Sequence, residues 1–134
     1  MQGVLIVEDE IADIRSAAAV LKRLGITEVD AVRSVGAAIL RLQDALDGIK
    51  AAPYLVLLDL DFAYESGFEV LRFWKSHPEL KDTRIVVWTS MDDPLVEMCR
   101  LFGVDVIRKG TGLKELDESL RRYLSDSGQN SAGA

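Results

Sequence analysis

Short apolar runs alternate along the chain with stretches whose apolar positions recur every three or four residues. Val4-Leu5-Ile6-Val7 predicts a buried strand, and Ile11, Ile14, Ala18 and Leu21 then follow at helical spacing, with Gly25 as the stop. Glu28 to Val32 predicts a second strand. Ser34 is placed to cap a helix carrying Val35, Ile39, Leu42, Leu46 and Ile49 on one face, and Pro53 closes that unit. Tyr54 to Leu58 is the most apolar strand and shows no polar alternation, the pattern of a strand covered on both faces. A third helix is predicted from near Ser66, with Glu69 three residues on in a capping-box arrangement, ending before His77-Pro78. Ile85 to Trp88 predicts a fourth strand. Asp93-Pro94 supplies a cap and a first-turn proline for a helix with Leu95, Met98, Cys99 and Phe102 in one stripe before Gly103. Val104 to Ile107 predicts a fifth strand, and Leu113, Leu116, Leu120 and Leu124 line the last helix. From Ser125 onward the residues are small and polar, which predicts a frayed end.

Strict alternation of five strands with five helices implies an α/β fold, a doubly wound parallel sheet with helices on both faces joined by right-handed crossovers. The division expected is one domain over residues 1–125 and a flexible tail over 126–134, with no repeat and no internal linker. In such sheets ligands bind outside the carboxyl ends of the strands. The residues at those ends therefore matter most.

Composition narrows the possibilities. The 134 residues are 49% hydrophobic and 28% charged, the balance of a globular domain with a single core. The apolar runs are far shorter than the ~20 residues that cross a bilayer, and no basic-then-apolar leader opens the chain. The expectation is a cytoplasmic protein without a membrane partner. The single Cys99 excludes an internal disulfide framework and, lying in a helical apolar pattern, reads as a buried structural thiol. A net charge of −6 argues against nucleic acid as a partner. It leaves protein partners and cations.

The first strand ends in Glu8-Asp9-Glu10, the third in Asp59 followed by Leu60 and Asp61, the fourth in Thr89-Ser90 and the fifth in Arg108-Lys109. Each alone has a plain explanation: a helix cap for the first acids, a loop cap for Thr89, a solvated charge or ion pair for Lys109. Together they bring acids, a hydroxyl pair and a lysine to one edge of the sheet. Carboxylates so gathered repel one another unless a cation or a proton intervenes. Oxygen donors with room for water suit Mg²⁺. A carboxylate can also attack phosphorus and form an acyl phosphate, with lysine, metal and hydroxyl neutralising the charge on the transferred group.

Val-Leu-Ile-Val-Glu8-Asp9-Glu10, Leu-Val-Leu-Leu-Asp59, Gly67 eight residues later, Val-Val-Trp-Thr89-Ser90 and Lys109 together resemble the response-regulator receiver domain over about residues 3–124. Thirty residues separate Asp59 from Thr89 and twenty separate Thr89 from Lys109, a specific spacing. The resemblance implies the flavodoxin-like sheet, strand order 2-1-3-4-5, and these roles. Asp59 accepts a phosphoryl group from a sensor histidine kinase or phosphotransfer protein. Asp9 and Asp59 ligate Mg²⁺, Glu8 acts nearby through water, and Asp61 offers its backbone carbonyl to the metal. Thr89 moves to bond the phosphoryl oxygen, and Lys109 pairs with Asp59 and later with the phosphoryl group. The domain would catalyse only its own phosphorylation and dephosphorylation. Its output would pass to a downstream protein target through the fourth helix, fifth strand and fifth helix, a face that also serves homodimers in the family. The long second helix, His77-Pro78-Glu79-Leu80-Lys81 and Lys109-Gly110-Thr111-Gly112-Leu113-Lys114 are similar to the single-domain regulators paired with bacterial phytochromes.

The chain departs from the family pattern in three places. Gly110 follows the lysine where a cis-bonded proline is usual, so a cis bond there is in question. Ala63 replaces a proline after the acceptor, which predicts a looser loop, and Val106 stands where a switching aromatic is usual. Asp61 either orients a hydrolytic water or repels hydroxide, with opposite effects on the phosphoryl lifetime. Trp74 and Trp88 read as packing residues and His77 as a loop residue rather than a phosphotransfer histidine. Two rivals remain: a degenerate receiver that binds partners without phosphorylation, and a haloacid-dehalogenase-type phosphatase built on Asp59-Leu-Asp61. The second fits poorly, because the acidic pair precedes the nucleophile and no segment remains for a cap.

Overall fold

The computed structural model describes residues 3–90, 93–110 and 112–132. Five parallel strands, β1 (Val4–Val7), β2 (Val29–Val32), β3 (Leu55–Leu58), β4 (Arg84–Thr89) and β5 (Asp105–Arg108), form one sheet in the order β2-β1-β3-β4-β5. Between and after them run α1 (Ile11–Arg23), α2 (Val35–Leu46), α3 (Phe68–Lys75), α4 (Asp93–Leu101) and α5 (Lys114–Ala132). This is the predicted doubly wound order.

The apolar strands are continuous in sequence because both faces of the sheet are covered, yet their side chains divide between faces with a period of two. Val4, Ile6, Leu55, Leu57, Val86, Trp88 and Ile107 pack with α1 and α5, through residues such as Val20, Leu21, Leu116 and Leu120. Leu5, Val7, Val56, Leu58, Ile85 and Val87 pack on the other side with Leu42, Leu71 and Cys99 from α2, α3 and α4. Cys99 is fully buried, as its place in the helical stripe predicts.

Several local expectations are corrected. The α2 stripe ends at Leu46, not Ile49. Gly48 turns into the left-handed region at φ +74° and closes the helix, and Ile49 is left 68% exposed. The Ser34 cap forms, its Oγ accepting from the Ala37 N–H at 3.0 Å. The capping box predicted for α3 does not form. The helix begins at Phe68 behind Gly67, and Glu69 pairs along the helix with Arg72 instead of reaching back. A short 3₁₀ turn, Pro78–Leu80, follows His77. Met98 is left 41% exposed, and the α4 stripe is carried by Leu95, Cys99 and Phe102. Helix α5 is described as far as Ala132, and 133 and 134 lie outside the described residues.

Candidate metal centre

Sheet register sets the site. In β1 and β3, Val7 lies opposite Leu58, so Glu8 and Asp59 leave the sheet side by side. In β4 and β5, Thr89 lies opposite Arg108, so Lys109 emerges next to Thr89 and donates its backbone N–H to the Thr89 carbonyl at 2.9 Å. All four predicted strand-end groups therefore meet at one edge. One oxygen from each of Glu8, Asp9 and Asp59 falls within 4.8 Å of the others. Glu8 and Asp59 are almost wholly buried, Asp9 is half-buried and Thr89 is inaccessible.

Lys109 organises the cluster. Its Nζ donates to Glu8 Oε2 at 2.6 Å, Asp13 Oδ2 at 2.8 Å and Asp59 Oδ2 at 3.1 Å. Asp13, on the first turn of α1, is a site residue that the strand-end reading missed. The signal was there: it lies four residues after Asp9, one helical turn on, but an acid in a first turn ordinarily reads as a partner for the helix dipole. Two backbone groups hold the carboxylates from behind: the Glu10 N–H donates to Glu8 Oε1 and the Asp61 N–H to Asp59 Oδ1, both at 3.1 Å. The Asp61 side chain itself is exposed.

Neighbouring loops are tied down by side chains that sequence reasoning did not single out. Arg33 donates through Nη2 and Nε to the Asp9 carbonyl, at 3.0 and 3.3 Å. Glu65 Oε2 accepts from the Val35 N–H at 3.0 Å, joining the loop after Asp59 to the free N-terminal amides of α2. An Asp61–Ser66 bridge closes the same loop, and Phe62 beneath it is buried. These ties bear on the looser loop expected from Ala63. The Lys109–Gly110 bond is trans, which answers the question raised by Gly110.

Four carboxylates, Glu8, Asp9, Asp13 and Asp59, face a single ammonium here. Burial pushes the Glu8 carboxyl from its ordinary 4.5 up to about 7; the Lys109 hydrogen bond opposes this and the Asp59 charge reinforces it. For Lys109, burial disfavours the charge, but its hydrogen bonds to Asp13 and Glu8 and the Asp59 charge overcome it and raise its pKa above the usual lysine value. Hard oxygen donors, partly buried and carrying excess negative charge, suit a divalent cation. Because the folded, metal-free protein holds the Glu8 proton more tightly than the unfolded chain does, its stability falls as pH rises from about 4.5 to about 7. Cation binding removes that proton, so affinity for a divalent cation is expected to rise over the same interval and level off above it, with proton release on binding. Calorimetric titration in two buffers of different ionisation enthalpy checks this; affinity flat from pH 5 to 8 contradicts it.

No family model matches the chain. Among solved structures, the Mn²⁺-bound form of response regulator Rcp1 is 32% identical over 90% of both chains, with a TM-score of 0.77. The chain belongs to the response-regulator receiver family. The phosphorylated cyanobacterial phytochrome response regulator RcpA is 29% identical over 91% of this receiver and 90% of its own chain, with a TM-score of 0.76. The bacteriophytochrome response regulator RtBRR is 25% identical, over 90% of this receiver and 76% of that chain, at 0.72. A curated relative, response regulator GacA of Pseudomonas protegens, is 29% identical over 117 residues, 78% of this chain and 54% of that protein. The receiver thus spans about half the length of that curated relative.

On the far side of β5 from the acids, a groove of about 540 Å³ runs between α4 and α5, lined by Val96, Arg100, Val104, Val106, Arg122 and Tyr123 among others. Val106 brings no ring to this face. The ring comes from α5: the Tyr123 hydroxyl donates to Asp105 and its face carries the Arg84 guanidinium at 5.7 Å. No described helix is long and apolar enough to cross a membrane.

Proposed function

We propose that the receiver accepts a phosphoryl group on Asp59 from a phosphohistidine of a sensor kinase or phosphotransfer protein, with Mg²⁺ bound at Glu8, Asp9 and Asp59. The observation that carries this reading is the convergence on Lys109 of Asp59 and Glu8, beside Asp9 and the buried Thr89. The donor set fits the ion: Asp9 and Asp59 as direct ligands, Glu8 adjacent, and the Asp61 carbonyl within the same loop. When bound, Mg²⁺ neutralises charge on the phosphoryl oxygens and on the gathered carboxylates.

The remaining chemistry belongs to the chain. An Asp59 carboxylate oxygen attacks phosphorus, a P–O bond forms, and the P–N bond to the donor imidazole breaks with the electron pair leaving on nitrogen. The Asp61 N–H orients the Asp59 carboxylate by holding Oδ1, and Lys109, now beside Oδ2, offers its ammonium to the phosphoryl oxygens. Thr89 offers its hydroxyl to the same group. Catalysis is confined to the domain's own phosphorylation and hydrolysis. Exposed Ile11 on α1 and Tyr64 in the loop after Asp59 offer apolar contact area to the donor protein. Output runs through the α4–β5–α5 face to a protein target or a second copy of the chain, with Tyr123 and the groove in place of an aromatic at Val106. The single buried Cys99 suits a reducing cytoplasm. Mn²⁺ in Rcp1 and the phosphorylated state of RcpA, the two regulators named above, support metal and phosphoryl chemistry in a receiver of this kind.

Incubation with a small acyl phosphate and Mg²⁺, followed by intact mass, tests the reading. The expected result is a gain of one phosphoryl group, absent with chelator and absent in Asp59→Asn. No gain under conditions that label another receiver would instead support a binding module that works unphosphorylated. Sustained hydrolysis of small phosphate esters would support the phosphatase rival.

A further inference from the structure

Lys109 touches a fourth partner besides its three carboxylates. Its Nζ lies 4.7 Å from the centroid of the Trp88 ring. Sheet register explains the approach: Trp88 pairs with Ile107 across β4 and β5, so Lys109 is its diagonal neighbour on the face shared with α1 and α5. We propose that Trp88 is a positioning residue, whose indole face holds the Lys109 ammonium beside Asp59 while the carboxylates change partners. The proposal rests on the phosphoacceptor reading above.

Packing alone does not explain the residue. Trp88 is 4% exposed among aliphatic neighbours, and its Nε1 is buried with no hydrogen-bond partner among the described residues. A leucine or phenylalanine would fill an apolar site without burying an unpaired N–H. What the indole adds is the strongest cation-attracting face of any side chain. That face neither titrates nor ligates metal. In the resting site the three carboxylates fix the ammonium and the ring contributes little. Once a cation and a phosphoryl group engage Glu8 and Asp59, those oxygens are shared, and Asp13 from one side and the ring from another remain to keep the ammonium beside the reacting centre. Burial strengthens the contact by excluding water.

Trp88→Leu is expected to lower the rate of labelling by acyl phosphate about tenfold, and Trp88→Phe, which keeps a weaker aromatic face, about threefold at most. Mg²⁺ affinity should stay within about twofold of wild type in both, since the carboxylates are untouched. A purely structural role would instead change rate and affinity together, and phenylalanine would not rescue the rate selectively. Proton NMR gives a second readout on the wild-type protein. The Lys109 ε-methylene resonance, assigned by its loss in Lys109→Met, should lie upfield from ring-current shielding, remain upfield with Mg²⁺ and beryllofluoride bound, and return to the ordinary lysine position in Trp88→Leu. If Trp88→Leu fails to fold, the wild-type and phenylalanine spectra still decide. An unshifted Lys109 resonance, or Trp88→Leu labelled at the wild-type rate, overturns the proposal. Wild-type protein that is never labelled overturns the phosphoacceptor reading itself, and the positioning role with it, so the two failures are distinguishable.

Discussion

Lys109→Met should slow phosphoryl transfer to Asp59 by about 100- to 1,000-fold, the loss seen when one preorganised charge-stabilising donor is removed from a reacting centre. Methionine keeps the length and apolar stem of lysine, so packing against Trp88 survives while the ammonium is lost. The same change has a second, opposite signature. Lys109 occupies one oxygen each of Glu8 and Asp59, which the proposed Mg²⁺ also needs, and it repels the ion directly. Mg²⁺ should therefore bind Lys109→Met more tightly than wild type. Without metal, the variant leaves Glu8, Asp13 and Asp59 with no counter-charge among the described residues, and it should lose about 3 kcal/mol of stability at neutral pH. Mg²⁺ should restore much of that. Pulse labelling, calorimetric titration and urea unfolding with and without chelator read the three effects. Labelling at the wild-type rate would reduce Lys109 to a structural counter-ion.

Gly67→Ala should be the most damaging single-methyl change near the site. A Cβ at this position would lie 2.6 Å from the Asp59 carbonyl oxygen and 2.6 Å from the Leu60 Cα. Both are backbone atoms, so no side chain can rotate aside. Gly67 has φ −59°, an ordinary helical value, so the requirement is for space and not for an unusual backbone angle. The added methyl must push the end of β3 away from α3, and that segment carries Asp59. A stability loss of about 1–3 kcal/mol is expected from overpacking, with weaker Mg²⁺ binding and slower labelling, because Asp59 moves relative to Glu8 and Asp9. Urea unfolding and metal titration of the variant check this. Wild-type stability together with wild-type metal affinity would mean that the loop yields without moving Asp59.

The fold was legible in the sequence because its central strands, β1, β3 and β4, are buried on both faces. Runs such as Leu-Val-Leu-Leu before Asp59 have no polar interruption, and the polar residue that ends each run marks the carboxyl edge of the sheet. Glu8, Asp9, Asp59, Thr89 and Lys109 could be named for that reason. What escaped depends on angles and distances that a linear pattern does not encode. Asp13 reaches Lys109 only because the phase of α1 turns it toward β5. Glu65 caps α2 from a loop thirty residues away in sequence. The Glu69 capping box failed because an arginine one turn along the helix offered a nearer partner. Ile49 fell off the α2 stripe because one glycine in the left-handed region ended the helix first. Trp88 was legible as a core residue, but its contact with Lys109 follows from a diagonal across two strands.

The most direct test of Asp59 as the phosphoacceptor is chemical trapping of the modified residue. Borohydride reduces an aspartyl phosphate to homoserine, and peptide mass spectrometry locates the change. After treatment with acyl phosphate and Mg²⁺, the reduced residue should appear at position 59 alone and vanish when Mg²⁺ is chelated. Homoserine at Asp9, Asp13 or Asp61, or protein that is labelled yet resists borohydride, would contradict the assignment of Asp59 as the acceptor.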